Sequence, residues 1–483
     1  MKTIQFNIRK NTAKIALVGF LFAAGLSSCS DDFLVAEPEL SISDMVIFTS
    51  PERAEAAITG LYASSKSGAL YGGRYLIYND IRAEEFVNRT TNVVTGYSTY
   101  QFTNDAADSY IASFWSTSYL TINRANIAIA ALEANEGGLS ADVVANFIAE
   151  AKFIRALNYF GLVQIFAKPY IVSAGQTPGL PLRLQPETGG DNNDLARSSV
   201  ADVYTQILAD LDAAYAGLKD NNGNREANLT RAHKNTATAL KVRVLLAKGD
   251  FPGVITEGNK LVPATAPFVT SVGVPSRLEE DIRSVFNPPF QTQESIFSFP
   301  MASTNAPGTQ NQLGYYFNAG NLEYYLNSDA PGILANAQFG ADDDRRTELT
   351  ALYAGIGHHL TKFSGVSPYT DYVPMIRYAE VMLNVAEAEA EVGSQARARA
   401  LLEAVHHRSD PSYDFGTMTQ QQLIDAILTE RRIELLGEGF RANDITRRGL
   451  PFRSQGAGAS IDINDERYNF PIPDSERKAN TAI

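Results

Sequence analysis

The sequence has little cysteine or tryptophan and lacks the common catalytic motifs. Cys29 is its one cysteine, which excludes an intramolecular disulfide. Trp115 is the one tryptophan, and its apolar helical surroundings predict a place in the core. A nucleophile elbow, a phosphate loop, a zinc-type His-Glu-x-x-His motif and a dinucleotide glycine fingerprint are all missing. The sequence therefore predicts a binding protein without catalytic residues, resident metal or cofactor.

The apolar run near the N-terminus is too short to stay in a membrane. Ile15–Leu26 has 12 residues, whereas a spanning helix needs about 20. A basic leader without acids precedes the run, and two serines separate it from Cys29. This order is typical of a secretory signal, and the four residues ending at Cys29 resemble the bacterial lipobox. We therefore expect residues 1–28 to be removed and Cys29 to be acylated, which makes it the lipid anchor.

Positive charge is scarce once the leader is gone. Residues 1–28 contain four of the 41 basic residues and none of the 54 acidic ones, so 37 basic and 54 acidic residues remain and the net charge is −17. Such a surface repels nucleic acid and anionic lipid. Neutral sugars or peptides are the more compatible ligands. Ser30-Asp31-Asp32 after the cysteine resembles a short acidic tag that directs some lipoproteins to the outer face of the outer membrane.

Repeated amphipathic helix is the strongest pattern in the chain. Apolar residues recur every three or four positions through several segments, and Ser50 before Pro51 is typical of a helix start. Short breaks at 247–251 and 390–394 join helices into pairs that resemble tetratricopeptide-type hairpins. The fold class predicted is mainly α. The predicted helices cover residues 51–66, 110–134, 145–166, 199–219, 235–248, 375–392, 395–408 and 420–437.

Two regions interrupt the helical pattern, residues 68–109 and 263–372. Both are rich in glycine, tyrosine and turn-forming residues, and the second includes the strand-like segment Ser295–Phe299. Loops of this length in a compact chain are usually functional. A tyrosine ring can stack on a sugar face or a peptide while its hydroxyl stays in water. The ligand-binding residues predicted in these regions are Tyr71, Arg74, Tyr97, Tyr100, Tyr315, Tyr316 and Tyr324.

Other charged groups have simpler interpretations than catalysis or metal binding. Adjacent histidines, as at 358–359 and 406–407, point in different directions and make no clamp by themselves, so exposed or capping roles are favoured. The acidic run 342–344 is compatible with calcium, but the arginines that follow favour a solvated charged turn. Glu430, Glu434 and Glu438 lie four residues apart, beside Arg431, Arg432 and Arg441. This spacing favours an ion-pair network that joins the helix to its neighbours.

Several segments together resemble the SusD/RagB family. The stretch from Glu430 to Gly449, ERRIELLGEGFRANDITRRG, is the most recognisable, and FPIPDSE from Phe470 resembles the C-terminal signature. Their order along the chain, from the lipobox onwards, strengthens the match. The other matching segments are 155–166 followed by Pro181-Leu182, 229–251 and 376–388.

The resemblance implies an outer-membrane lipoprotein that lies as a lid over a SusC-like, TonB-dependent transporter. In this family the tetratricopeptide-like half packs on the transporter and the loop-rich half holds the ligand. The expected divisions are the signal peptide 1–28, an N-terminal region 29–262 and a C-terminal region 263–483 that forms one unit with it. Most members bind glycans, and the RagB branch binds peptides. The predicted ligand loops lack tryptophan, which many glycan binders place there.

Capture of an oligosaccharide and its delivery to the transporter is the main functional hypothesis. A peptide-binding lipoprotein of the RagB type is the first alternative, because fold and anchor would be the same. A glycan hydrolase on a helical scaffold and a scaffold that binds only protein are the remaining ones. Glycan and peptide titration separates the first two, and new reducing ends would identify a hydrolase.

Overall fold

The computed structural model describes residues 47–190 and 193–483. The predicted signal peptide, Cys29 and the acidic residues that follow it lie outside the described residues. The structure is mainly helical, with 49% helix and a few short strands. The predicted fold class is therefore confirmed. None of the helices in the described ranges is both long enough and apolar enough to cross a membrane.

All eight predicted helices are present, and shorter ones lie between them. Their bounds agree with the predicted ones within a few residues, except at 375–392 and at the start of 145–166. The helices of the described ranges are α1 (Pro51–Ser65), α2 (Arg74–Ile81), α3 (Tyr97–Gln101), α4 (Ser109–Ala134), α5 (Ala141–Phe166), α6 (Val200–Gly217), α7 (Arg225–Thr230), α8 (Lys234–Lys248), α9 (Phe251–Gly258), α10 (Arg283–Phe286), α11 (Leu313–Phe317), α12 (Asp344–Leu349), α13 (Tyr378–Val392), α14 (Gln395–His406), α15 (Gln420–Glu434), α16 (Arg441–Arg447) and α17 (Asp474–Ala479).

Local capping residues set several of these bounds. The Ser50 side chain accepts a hydrogen bond from the Arg53 backbone at 3.4 Å, and a proline occupies the first turn of α1. Gly249 ends α8 with a φ of +79°, the left-handed conformation that favours glycine. Asp250 then caps α9 by accepting from the Gly253 backbone at 3.0 Å. The break predicted at 247–251 is therefore a cap-to-cap connection between two helices.

The helical pairs pack closely because small residues lie at their contacts. Helix α8 packs on α9, and α13 packs on α14, so both predicted hairpins are present. Gly258 of α9 lies so near Val385 of α13 that a Cβ placed on it would be 2.3 Å from Val385 Cγ2. Ala386 and Ala388 of α13 are fully buried. Small side chains therefore permit a close interhelical approach.

The strands form three two-stranded antiparallel sheets in the described part of the chain. Strand β1 pairs with β3, β2 with β6, and β4 with β5. The predicted strand Ser295–Phe299 is β2. The predicted helix at 375–392 is wrong at its start, because the residues before Tyr378 pair with β2 as strand β6. The strands are β1 (Phe86–Asn88), β2 (Ser295–Phe299), β3 (Tyr324–Leu326), β4 (Thr350–Tyr353), β5 (Gly357–Leu360) and β6 (Val373–Arg377).

A buried ion-pair network connects α15 with the loop-rich region. Glu434 Oε1 lies 2.8 Å from Arg377 Nη1, and Glu434 Oε2 lies 2.6 Å from Arg408 Nη2. Glu438 Oε1 lies 2.7 Å from Lys362 Nζ. These side chains are almost fully buried. The predicted network is confirmed, although α15 ends at Glu434 and Glu438 lies in the turn beyond it.

The partners of these carboxylates differ from the predicted ones. Arg431 pairs instead with Asp444, at 3.0 Å between Nε and Oδ2, and Arg432 pairs with Glu85, at 2.7 Å between Nε and Oε1. Arg441 pairs with Glu84. Neighbouring residues on a helix point about 100° apart. The arginines adjacent to the glutamates therefore face other elements, and distant basic residues compensate the carboxylates.

Candidate functional site

The two tyrosine-rich loop regions meet in a short antiparallel pairing. Strand β1 comes from the first region and β3 from the second, with Val87 opposite Tyr325 and Asn88 opposite Tyr324. The Asn327 backbone extends the pairing by donating to the Glu85 carbonyl at 2.8 Å. This pairing brings together tyrosines that are more than 200 residues apart in the chain.

Neighbouring rings meet edge to face or face to face in a series that we call the tyrosine row. Tyr97 stacks on Tyr100 at 6.3 Å between centroids, and Tyr100 meets Tyr324 edge-on at 5.8 Å. Tyr324 and Tyr316 are parallel within 5° at 6.1 Å. Tyr315 then lies 6.2 Å from Tyr316 and 6.0 Å from Tyr369. The row is composed of Tyr97, Tyr100, Tyr324, Tyr316, Tyr315 and Tyr369.

Accessibility differs strongly along the tyrosine row. Tyr100, Tyr316 and Tyr324 are buried, whereas Tyr97 and Tyr315 are partly exposed. The buried rings therefore pack against the partly exposed ones, and the partly exposed rings have surface available for a ligand. A direct ligand contact by any of them stays a prediction.

Tyr71 lies away from the tyrosine row. Its hydroxyl donates to the Leu157 carbonyl at 2.6 Å, and its ring packs on Tyr75 at 4.8 Å. Only 2% of the residue is exposed. The structure thus places Tyr71 between the first loop region and α5, in a packing position.

Arg74 is buried beneath a partly exposed ring. Its Nε donates to Asn311 Oδ1 at 2.8 Å, Nη1 to the Tyr78 hydroxyl at 2.7 Å, and Nη2 to the Val94 carbonyl at 3.2 Å. The guanidinium carbon lies 3.9 Å from the ring centre of Tyr110. Arg74 therefore joins both loop regions at the base of the site.

Charged side chains beside the row are committed to the loops themselves. Arg89 donates to the carbonyls of Leu322 and Asn321, both at 2.6 Å. Buried Glu323 accepts from the Thr95 hydroxyl at 2.7 Å and from the Asn321 amide at 2.5 Å. These bonds fix the loop backbone around the row.

Two further features mark the surface around the row. Val93, near Tyr97, is 59% exposed, and Val366, whose carbonyl accepts from the Tyr369 backbone, is 74% exposed. Gln310 and Tyr369 have left-handed φ values of +60° and +57°. Such backbone is costly for residues other than glycine and is concentrated at functional sites. An apolar rim and a strained backbone are both consistent with a binding surface.

Tyr369 is the member of the row that the sequence did not single out. It lies 54 residues beyond Tyr315 in the second loop region, in a turn shortly before Tyr372. Spacing along the chain gives no signal for it, because only the folded loop brings its ring to Tyr315.

The larger cavities are lined by other residues. One of about 520 Å³ is bounded by Tyr170, Lys248, Phe251 and Arg448. Another of about 460 Å³ is bounded by Pro267 and its neighbours. No residue of the tyrosine row lines either of these two cavities.

The candidate metal and catalytic groups are held in other interactions. Asp343 and Arg345 are buried and paired at 2.7 Å, so the predicted solvated turn is wrong for these two residues. His406 is buried with Nδ1 2.6 Å from Glu430, and His359 is buried as well, so neither is exposed, which was one of the two expected roles, the other being capping. Residues 47–190 and 193–483 contain no cluster of three or more potential metal ligands.

Trp115 is buried, as predicted, and its indole Nε1 donates to Glu476 Oε2 at 3.0 Å. The ring contacts Tyr119 at 4.9 Å and Phe166 at 5.0 Å. Trp115 therefore packs inside the helical layer, and the exposed aromatic surface of the site consists of tyrosine.

Family comparisons match both halves of the chain. Residues 32–246 match a family described as starch-binding and associating with the outer membrane, and residues 309–483 match the SusD family. A SusD-like protein of Formosa agariphila is 23% identical, over 94% of this chain and 95% of that protein.

Solved structures are similar over the same extent. A SusD superfamily protein from Bacteroides fragilis has a TM-score of 0.82 and 34% identity, over 90% of this chain and 99% of that one. A structure described as a laminarin-binding SusD-like protein has a TM-score of 0.70 and 21% identity, over 89% of this chain and 97% of that one. The second likeness concerns the fold alone.

Proposed function

We propose that this chain, which belongs to the SusD family, is a surface lipoprotein that captures an oligosaccharide and delivers it to a SusC-like, TonB-dependent transporter. The observation that carries the proposal is the tyrosine row. Its partly exposed members Tyr97 and Tyr315 offer ring faces for sugar stacking, and polar loop groups lie beside them.

Relatives support a glycan as the ligand class. One matching family is described as starch-binding, and one fold relative is described as laminarin-binding. The mature net charge of −17, given above, favours ligands without dense negative charge. A peptide of the RagB type remains the alternative, and peptides therefore belong in the same titration.

The N-terminus and the family support attachment to the outer membrane. The lipobox-like sequence supports an acyl anchor at Cys29, and the first matching family is described as associating with the outer membrane. We place the helical hairpins α8–α9 and α13–α14 toward the transporter and the tyrosine row toward the ligand, as the family resemblance implies. The division into regions 29–262 and 263–483 belongs to the same proposal.

Ligand binding is tested by calorimetric titration of the purified, detergent-solubilised protein. The panel contains starch and β-glucan oligosaccharides and mixed peptides. Tyr97→Ala and Tyr315→Ala should each weaken glycan binding several-fold, because one aromatic stacking contact contributes about 0.5–1.5 kcal/mol. Tyr215→Ala is the matched control, since Tyr215 is 39% exposed on α6, outside the row.

Each result has a distinct consequence. Unchanged glycan binding in both row variants would remove the proposed site. Binding of peptides alone would replace the glycan, and new reducing ends during incubation with glycan would indicate a hydrolase. Delivery is tested by co-purification with a TonB-dependent barrel, together with loss of glycan uptake in a strain that lacks this protein.

A further inference from the structure

Arg74 is a buried cation without a carboxylate partner in the part of the chain that the structure describes. It is 5% exposed, and its three hydrogen bonds go to an amide oxygen, a hydroxyl and a carbonyl. By contrast, buried Arg377 and Arg345 each pair with several carboxylates. A buried charge that lacks a counterion is costly unless something compensates it.

Hydrogen-bond donors outnumber acceptors around this guanidinium. Arginine has five N–H donors, and the bonds of Arg74 use three of them. Tyr78 accepts one of these bonds, so the proton of its own hydroxyl needs another acceptor. The Tyr316 hydroxyl is buried and has no hydrogen-bond partner. Two N–H groups of Arg74 and the hydroxyls of Tyr78 and Tyr316 are therefore four donors beside one positive charge. No anionic acceptor is among their partners.

Arg74 acts electrostatically on the hydroxyls of both Tyr316 and Tyr78. Burial raises the pKa of Tyr316 above its usual range, and Arg74 is the main group that opposes this rise. Burial raises the pKa of Tyr78 to about 12, against the same effect of Arg74. Both hydroxyls therefore stay protonated at neutral pH and can donate.

A partly exposed side chain lies over this guanidinium. The ring of Tyr110 covers the Arg74 guanidinium at 3.9 Å, in cation–π geometry. Tyr110 is the second residue of α4, so its ring can move by a change of χ1 rotamer without movement of the backbone.

We propose that Arg74, Tyr78 and Tyr316 form a covered subsite for the carboxylate of a uronic acid within the bound glycan, closed by the ring of Tyr110. A carboxylate accepts hydrogen bonds only and supplies the missing negative charge. This inference rests on the proposed function, because it specifies the glycan. The negative net charge of the protein does not oppose it, since distant surface charges are screened beyond about 10 Å at 0.1 M salt.

Tyr316→Phe is the decisive variant because it removes only the hydroxyl that lacks a partner. A purely structural Tyr316 predicts equal or higher stability and unchanged binding, since no hydrogen bond is lost. Our proposal predicts equal or higher stability and weaker binding of acidic glycans, by about fivefold for one hydrogen bond. Tyr119→Phe is the matched control outside the row, because the Tyr119 hydroxyl donates to the Pro181 carbonyl at 3.0 Å.

The probes are oligosaccharides of galacturonic, glucuronic and mannuronic acid, each compared with its methyl ester. The wild-type protein should bind at least one acid more tightly than its ester. Tyr316→Phe should reduce this preference, and Tyr119→Phe should not. Melting temperatures of the variants show whether a change in affinity reflects the fold.

The alternative outcomes separate this inference from the proposed function. If esters or neutral glycans bind and no acid binds better, or if Tyr316→Phe leaves acid binding unchanged, the carboxylate subsite is wrong and glycan capture stands. If no glycan binds the wild-type protein, both are wrong. If a peptide carboxylate binds instead and depends on the Tyr316 hydroxyl, the uronic acid is overturned as the ligand.

Discussion

Arg377 Nη1 lies 2.8 Å from Glu434 Oε1, and both side chains are at most 1% exposed. The pair joins the last residue of β6 to the last residue of α15. Arg377 also reaches Glu294 and Glu438. The helical layer and the loop-rich region that holds the tyrosine row therefore share one buried network.

Removal of Arg377 should destabilise the protein strongly. Arg377→Met removes one cation that three buried carboxylates share, and breaking a buried ion pair from one side costs about 3–5 kcal/mol. Urea denaturation measures the free energy of unfolding. Arg283→Met is the control and should change little, because Arg283 pairs with Asp281 on the surface. Equal effects of the two variants would contradict a structural role for the buried network.

Gly258 and Gly60 should respond oppositely to alanine. A Cβ on Gly258 would lie 2.3 Å from Val385 Cγ2, and overpacking of this kind costs about 1–3 kcal/mol. Gly60 lies within α1 and has nothing within 4 Å of an added Cβ, so alanine there should stabilise by about 0.5–1 kcal/mol. Thermal melting gives both signs, and destabilisation at Gly60 alone would refute the close approach of α9 and α13.

His233 should make the protein less stable in mild acid. Burial, aided by Arg225, lowers the pKa of this histidine to about 4 in the folded state, whereas its unfolded value is about 6.5. Between these pH values the unfolded chain binds more protons than the folded protein. The contribution of His233 to the free energy of unfolding is therefore complete above pH 6.5 and falls as the pH drops toward 4, by on the order of 3 kcal/mol.

Comparison with a variant isolates this effect of His233. His233→Gln should flatten the dependence of the unfolding free energy on pH between 6.5 and 4. Denaturation at several pH values checks it. An unchanged slope in the variant would assign the acid sensitivity to other groups.

Cys29→Ser should release the protein from the membrane fraction. Acyl chains contribute about 0.8 kcal/mol per buried methylene, and serine cannot carry the thioether-linked lipid. Labelling of cells with a radioactive fatty acid should mark the wild-type protein and not the variant. Ser27→Ala is the control, because it keeps a small residue before the cysteine. Label in the Cys29→Ser variant would contradict the lipobox interpretation.

Much of the helical layer could be predicted from local patterns. Apolar spacing in α5, α8 and α15, the Ser50 cap and the breaks near 249 and 393 each depend on nearby residues only. The start of α13 was misjudged because β6 continues the same apolar pattern, and its strand pairing with β2 involves residues about 80 positions away.

The candidate site was only partly predictable. The sequence pointed to tyrosines in both loop regions, but it could not separate exposed Tyr97 and Tyr315 from buried Tyr100, Tyr316 and Tyr324. All five have the same chemistry, and burial depends on neighbours brought in by the fold. A three-residue strand such as β1 also has too few positions to show a periodicity.

The sequence by itself determined the helical class of the chain and its resemblance to the SusD/RagB family, and it predicts an exported, lipid-anchored protein, because these depend on local order and periodicity. The tertiary structure alone decided which carboxylates meet which arginines and which tyrosines form one row. Those contacts join segments that lie from tens to hundreds of residues apart in the sequence, and only the packing of the folded chain brings them within bonding distance.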